Sequence, residues 1–126
     1  KDLMAARLNH HSSIAIQELA HAIGVLDPGD RRTAGVQKII AELIGSMPAH
    51  RVLTADAETL GRAAILAGVI SRIQGYGGDR KLRCLHDCGL YLQALKQGLV
   101  LVTRNIADFD ICLQLAPQGR VLFYRV

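Results

Sequence analysis

Acidic side chains within apolar segments are the first sign of chemistry in this sequence. Glu18 lies in the apolar stretch 14–19, and Asp87 lies in the apolar stretch 85–90. A carboxylate on an apolar helix face is unfavourable by several kcal/mol unless it is paired, protonated or bound to a metal ion. Both acids are therefore candidate ligands for a cation.

Two further acids, Asp108 and Asp110, follow the apolar run 99–103. This run comes directly after a helical pattern and predicts a buried parallel strand, and α/β folds bind ligands beyond the carboxyl ends of such strands. Carboxylates gathered there would bind a hard cation such as Mg²⁺ or Mn²⁺, which can activate water and stabilise the charge on a phosphodiester. Alternatively, each acid caps a helix or lies on a solvated face; Asp110 is the weaker candidate and is expected at the surface.

The elements that must position these acids alternate between helices and short strands. The apolar spacing predicts helices over residues 15–25, 32–45, 56–74, 82–97 and 106–115, and strands near 9–13, 51–54, 99–103 and 121–124. Asp56 is a plausible N-cap for the third helix, and Gly98 is expected to end the fourth. This alternation predicts a single α/β domain over residues 1–126 with a mainly parallel sheet.

The second predicted helix carries an apolar stripe at helical spacing, which is typical of a buried face. The stripe consists of Val36, Ile39, Ile40, Leu43 and Ile44.

Composition narrows the class of protein. The chain has 126 residues, a formal net charge of +4 and half of its residues hydrophobic, which fits one globular domain. The positive charge is compatible with a polyanionic partner such as RNA or DNA, although many basic proteins bind no nucleic acid. No apolar run approaches the roughly 20 residues of a membrane span. Three cysteines without a framework pattern favour a reducing, cytoplasmic setting.

Cys84, His86 and Cys88 could suggest a zinc site. Cys84 and Cys88 share a helix face, but His86 points elsewhere and no fourth ligand is apparent. Buried, inert cysteines are the favoured interpretation.

Three segments resemble motifs of PIN-domain ribonucleases of the VapC toxin type. Residues 11–19 are similar to the second motif, in which a strand leads through Ser or Thr into a helix carrying Glu. Residues 86–94 resemble the third motif, with Asp at the start of a helix, and residues 101–109 resemble the fourth, a T-R-N-x-x-D-F stretch after a strand. The three occur in family order, the resemblance covers essentially the whole chain, and the last motif is the most specific.

The resemblance implies a PIN-like three-layer α/β/α fold and a divalent-cation site. Glu18 and Asp87 would be metal-binding acids and Asp108 the fourth acid, with Mg²⁺ or Mn²⁺ as the ion. Asn105 stands where many relatives carry Asp, so the fourth ligand is either Asn105 or Asp108. Substrate contacts are expected from Ser13, Thr103, Arg104, Arg80 and Lys81, although the basic residues among them could equally form a solvated surface.

The function implied is that of a metal-dependent endoribonuclease toxin that forms a homodimer, cleaves structured RNA and is neutralised by a cognate antitoxin protein. One departure is serious, because the family's first strand with its Asp has no counterpart here and Asp2 lacks an apolar strand before it. We therefore expect an N-terminally truncated chain that is inactive as it stands, or, as an alternative, a catalytically inactive PIN-like module that binds RNA or protein. A third possibility is an α/β domain without a cation site, in which the acids are structural helix caps.

Overall fold

The computed structural model describes residues 10–103 and 105–123, which form helices joined by very short strands. In chain order the elements are β1 (His11–Ser12), α1 (Ser13–Val25), α2 (Thr33–Gly45), β2 (Val52–Leu53), α3 (Ala57–Gln74), α4 (Asp79–Lys96), β3 (Val100–Thr103), α5 (Ile106–Leu115) and β4 (Arg120–Phe123). They divide into two compact units with the boundary between Thr54 and Ala55. No helix in these ranges is both long enough and apolar enough to cross a membrane.

The first unit joins a strand directly to a helix. β1 pairs in parallel with β2, with His11 opposite Val52. The Ser12 hydroxyl oxygen accepts a hydrogen bond from the Ile14 amide (3.0 Å), which satisfies one of the free donors at the start of α1. Gln37 of α2 donates to the Ile23 carbonyl of α1 (3.2 Å). The predicted order of strand, Ser and helix is therefore confirmed in this segment.

The apolar stripe of α2 is largely exposed, so the prediction that it is buried is wrong for three of its members. Ile39, Leu43 and Val36 are 67%, 49% and 39% exposed. Helical periodicity identifies residues that share a face, but it does not identify what covers that face. The rest of the stripe, Ile40 and Ile44, is half-buried.

The second unit begins with a capped helix. The Asp56 carboxylate accepts a hydrogen bond from the Thr59 amide (2.8 Å), which confirms the predicted N-cap of α3. The same carboxylate pairs with the Lys96 ammonium at the end of α4, and Glu58 lies 3.4 Å from that ammonium. Together the two interactions join the start of α3 to the end of α4.

The core of the second unit lies between α3, α4 and α5. Ala63 and Ala67 on α3 are small, which allows α4 to approach closely and bury Tyr91 almost completely. The Tyr91 hydroxyl donates to the Ala116 carbonyl and accepts from the Gly119 amide (3.1 Å). Among the described residues, the buried core cluster consists of Ala63, Ala67, Ile70, Cys84, Cys88, Tyr91, Phe109 and Cys112.

Parallel strand pairing places this chain in the α/β class. β3 pairs in parallel with β4, from Val100 opposite Arg120 to Thr103 opposite Phe123, and this pair is separate from β1 and β2. The prediction of a strand near residues 99–103 is confirmed, since β3 spans Val100–Thr103. The prediction that this strand is fully buried is wrong, because Val100 is 44% exposed. Within the described part of the chain β3 pairs with β4 alone, which leaves part of its surface to solvent.

We expect Gly119→Ala to destabilise the chain by about 1–3 kcal/mol, the usual range for overpacking. A Cβ atom at residue 119 would overlap the ring of Tyr91, which the core holds in place. Gly61→Ala is the matched control, because its added Cβ meets nothing within 4 Å in α3. That change should stabilise the helix by up to about 1 kcal/mol. Urea unfolding followed by circular dichroism gives the free energy of unfolding of each variant. Equal changes in the two variants would contradict the close approach of residue 119 to the Tyr91 ring.

Asp56→Asn should reduce stability near neutral pH, and the reduction should disappear in acid. The ion pair with Lys96 and the hydrogen bond from Thr59 hold the pKa of the Asp56 carboxyl well below its usual value. The charge therefore stabilises the folded chain above the pKa of an unfolded Asp, about 3.9. This stabilisation is lost as pH falls towards the lowered pKa of the folded state.

The measurement is the difference in unfolding free energy between the wild-type chain and Asp56→Asn at a series of pH values. Asn can still accept the cap hydrogen bond, so the difference isolates the charge. Glu58→Gln is the comparison variant; it removes only the 3.4 Å contact with Lys96 and should have a smaller effect. If the difference in unfolding free energy does not change with pH, the charge of Asp56 does not stabilise the folded chain.

Candidate functional site

Asp108 lies in the first turn of α5, just after β3. The Asn105 side-chain amide donates to Oδ2 of Asp108 (2.8 Å), and the Asn105 backbone amide donates to the Thr103 hydroxyl (3.0 Å). The three residues therefore form one hydrogen-bonded chain beyond the carboxyl end of β3. A carboxylate in the first turn of a helix is also stabilised by the helix dipole.

Asp87 lies in the middle of α4 and not at the start of a helix, which differs from the position that the resemblance implies. The helix begins at Asp79, after Gly78, and so extends further towards the N-terminus than its apolar spacing predicts. Asp87 is half-buried and precedes Cys88, which is completely buried. The burial of Cys88 therefore holds the backbone of α4 against the core at the position next to Asp87.

Arg80 brings a positive charge to Asp108. Its Nη2 atom lies 3.3 Å from Oδ1 of Asp108 and 3.4 Å from the hydroxyl of Tyr76, and its Cζ atom lies 4.6 Å from the centre of the Tyr76 ring. Hydrogen bonding to Tyr76 and the charge of Asp108 raise the pKa of Arg80 further. The predicted substrate-binding residue Arg80 is therefore an ion-pair partner of the predicted ligand Asp108.

Asp87 and Asp108 line the same cavity, which has a volume of about 10 Å³. A space of that size holds about one water molecule or one ion. Its walls also contain apolar side chains and thiols, so charges inside it are poorly screened. The lining residues are Ile70, Tyr76, Arg80, Cys84, Asp87, Cys88, Asp108 and Cys112.

The three cysteines are buried and free, as the sequence predicts. The Cys84 thiol lies 3.8 Å from the Ala67 carbonyl oxygen, and burial raises its pKa. Hydrogen bonding to Cys112, together with burial, raises the pKa of Cys88. Cys84 and Cys88 thiols in this state are protonated and poorly nucleophilic. Sequence reasoning did not place the cysteines beside the acids, and nothing in the spacing of Cys112 signals it.

Four further candidates lie within the described residues. Ser13 begins α1 and Glu18 lies half-buried within it, so both belong to the first unit, whereas the cavity belongs to the second. Lys81 is exposed in the first turns of α4. Asp110 is exposed, as expected, and accepts a hydrogen bond from Gln114 (2.8 Å). Arg104 and Asp2 lie outside the described residues.

The side chains at this cavity are of the types that bind a divalent cation, but there are too few of them to hold one. Asp87 and Asp108 offer the carboxylate oxygens that Mg²⁺ and Mn²⁺ prefer, and Asn105 adds an amide. Within residues 10–103 and 105–123, no group of three His, Cys, Asp or Glu residues is arranged to hold a metal ion. Asp108 is also already bonded to Arg80. A cation at this cavity would therefore replace Arg80 on Asp108 and need further ligands.

We expect the three thiols to resist modification in the folded chain. Cys84, Cys88 and Cys112 are 8%, 0% and 1% exposed, so a reagent such as Ellman's cannot reach them without an opening of the structure. Absorbance at neutral pH should show almost no reaction in buffer. In denaturant the three thiols should all react rapidly, and rapid reaction in buffer would contradict the packing of α4 against α5.

The second unit thus holds two carboxylates that line one small cavity, and a basic side chain, Arg80, is paired with one of them, Asp108. No protein-family model, curated protein or solved structure matches the chain.

Proposed function

We propose that this chain is a metal-dependent ribonuclease of the PIN type. The observation that carries the proposal is that Asp87 and Asp108, far apart in sequence, line one cavity near the carboxyl end of β3. Asp87 belongs to the segment that resembles the third PIN motif, and Asp108 belongs to the segment that resembles the fourth. Oxygen ligands beside a basic side chain suit hydrolysis of a phosphodiester, which needs a cation at the reacting oxygen atoms and positive charge on the phosphate.

Each residue of the site has a role in this proposal. Asp87 and Asp108 hold Mg²⁺ or Mn²⁺, and Asn105 fixes the orientation of the Asp108 carboxylate through its 2.8 Å hydrogen bond. When bound, the cation supplies an activated water and stabilises negative charge on the phosphodiester. Arg80 and Lys81, at the start of α4, bind RNA phosphates.

The finer features come from the resemblance and belong to the same proposal. They are a three-layer α/β/α PIN fold, Glu18 as a further acid, contacts to RNA from Ser13, Thr103 and Arg104, a homodimer, a cytoplasmic location and a cognate antitoxin that covers the site. Support for them consists of the three motifs in family order and of parallel strand pairing.

A second candidate function is a catalytically inactive module that binds RNA or protein. The ion pair between Arg80 and Asp108 favours it, because a neutralised carboxylate needs no metal ion. The two candidates differ in one measurable property, namely whether RNA is cleaved when a divalent cation is present.

We expect the chain, extended by the first strand and Asp that the resemblance implies, to cleave RNA in the presence of Mn²⁺ or Mg²⁺ and to lose this activity with EDTA. Asp87→Asn and Asp108→Asn should each reduce the rate at least about 100-fold, the order of loss that follows removal of an essential catalytic group. Gel electrophoresis of a labelled RNA pool measures the rates. Asp110→Asn is the matched control, because Asp110 is an exposed acid on the same helix as Asp108.

The control should stay within about twofold of the wild-type rate, since surface substitutions of this kind leave the fold nearly unchanged. Circular dichroism establishes that each variant is folded. Cleavage by Asp87→Asn at the wild-type rate would exclude Asp87 as a ligand. Binding of RNA without cleavage under any cation would leave the inactive module as the better description.

A further inference from the structure

One side of α3 is apolar although it lies away from the core of the second unit. Ala63, Ala67 and Ile70 of this helix belong to the buried core cluster. Ile65, which helical spacing places on the opposite side, is 71% exposed. Three of the 18 residues of α3 are charged, and a helix that is apolar on all sides is normally covered on all sides. The exposed side therefore indicates a contact beyond this core.

This exposed side is called the outer face of α3. By helical spacing its residues lie within about 60° of Ile65 around the helix axis. Val69 is half-buried, and the others are exposed. In chain order the outer face consists of Glu58, Gly61, Arg62, Ile65, Gly68, Val69 and Arg72.

The charges at the two ends of the outer face complement each other. Glu58 precedes Ile65 by seven residues, and Arg72 follows it by seven. An antiparallel copy, related by a twofold axis at Ile65, would place Glu58 beside the Arg72 of the second copy, and the same pair would form at the other end. Glu58 is 68% exposed despite its 3.4 Å contact with Lys96, so its carboxylate can accept a second cation.

The shape of the outer face fits the same arrangement. On one flank, a Cβ atom at Gly61 or Gly68 would meet nothing within 4 Å. The twofold axis would place Gly61 beside the Gly68 of the second copy, so the two helices could approach closely there. On the other flank Arg62 and Val69 would face each other, and the aliphatic stem of Arg62 could cover Val69. At the axis Ile65 would meet its own copy.

We propose that the outer face of α3 binds the outer face of a second copy of this chain, antiparallel and with Ile65 at the twofold axis. This gives a surface to the homodimer of the proposed function, and in that respect it rests on that function; the surface itself is inferred from α3 alone. With 18 residues, α3 is about 27 Å long. A contact between two helices of this length is small for a specific interface, so the dimer is weak, with a dissociation constant in the micromolar range.

The first test measures association of the full chain without RNA, by analytical ultracentrifugation over a series of concentrations. Ile65→Lys should weaken dimerisation at least about tenfold, because it brings two like charges together at the axis. Ile39→Lys is the matched control, since Ile39 is 67% exposed on α2. It should leave the dissociation constant within about twofold of wild type, as expected for a surface substitution.

A wild-type chain that stays monomeric up to millimolar concentration would overturn the proposal. Equal losses in Ile65→Lys and Ile39→Lys would do the same, because the contact would then not be specific to α3. Urea unfolding of Ile65→Lys is measured where the wild-type chain is monomeric and should match wild type. A marked loss of stability there would mean that another part of the chain covers the outer face, and would exclude the second copy.

The second test reverses the charges at the ends of the outer face. Arg72→Glu should weaken the dimer about fivefold, because carboxylates would then face each other at both ends. Adding Glu58→Arg should restore association to within about twofold of wild type. Residues 58 and 72 are about 21 Å apart along one helix, so this rescue can arise only between copies. A double variant that is folded by circular dichroism but associates no better than Arg72→Glu would contradict the antiparallel pairing.

The third test locates the twofold axis by cross-linking. Ile65→Cys should form a covalent dimer with diamide, because a residue at the axis meets its own copy. Ile73→Cys is the control: Ile73 is 59% exposed on the same helix but would lie about 24 Å along the axis from its copy. The three native cysteines are buried and should not contribute. Non-reducing gel electrophoresis measures the product, and equal cross-linking of both variants would place the axis elsewhere.

The interface and the ribonuclease can fail separately. If the extended chain cleaves RNA but neither it nor the chain without the extension dimerises through Ile65, the interface is excluded and the ribonuclease stands. If dimerisation depends on Ile65 but no RNA is cleaved with any divalent cation, the ribonuclease is excluded and the interface stands.

Discussion

The packing of α4 against α3 and α5 is the constraint on which the rest of the second unit depends. Ala63 and Ala67 keep one side of the interface thin, and Cys88 and Tyr91 fill it from α4. Because an interior packed this closely allows little movement, the backbone of α4 is held in place where Asp87, the residue before Cys88, lines the cavity. Cys112 holds α5 in the same core, and the first turn of α5 supplies Asp108.

The cavity combines groups with opposite preferences for cations. Carboxylates bind hard ions, whereas thiolates bind soft ones. Burial raises the pKa of Cys84, and hydrogen bonding to Cys112 together with burial raises that of Cys88, so these thiols stay neutral near pH 7. Neutral thiols are poor ligands and do not repel the nearby carboxylates. Cys112 lines the same cavity, and its hydrogen bond to Cys88 lowers its pKa. Asp87 and Asp108 supply the carboxylates of the cavity, and Arg80 pairs with Asp108 at its mouth.

Much of the local structure could be predicted from sequence, and less of the site. The helix over Ile106–Leu115 and the Asp56 cap depend on residues adjacent in the chain, and both were predicted. The contact between Arg80 and Asp108 joins residues 28 positions apart, and no local pattern encodes it. The prediction that Ile39 on α2 is buried is wrong for a related reason. Hydrophobic periodicity identifies the apolar face of one helix, whereas burial also requires a second element that covers this face.

The hydroxyl of Tyr91 has a consequence for how this unit opens. It bonds the Ala116 carbonyl after α5 and the Gly119 amide before β4, from a ring buried in the core. When β4 separates from β3, the Gly119 amide is drawn away from the Tyr91 hydroxyl, and the tyrosine loses a hydrogen bond. Amide protons of β4 and of the middle of α4 should consequently exchange with deuterium as one cooperative block, although they lie in different elements.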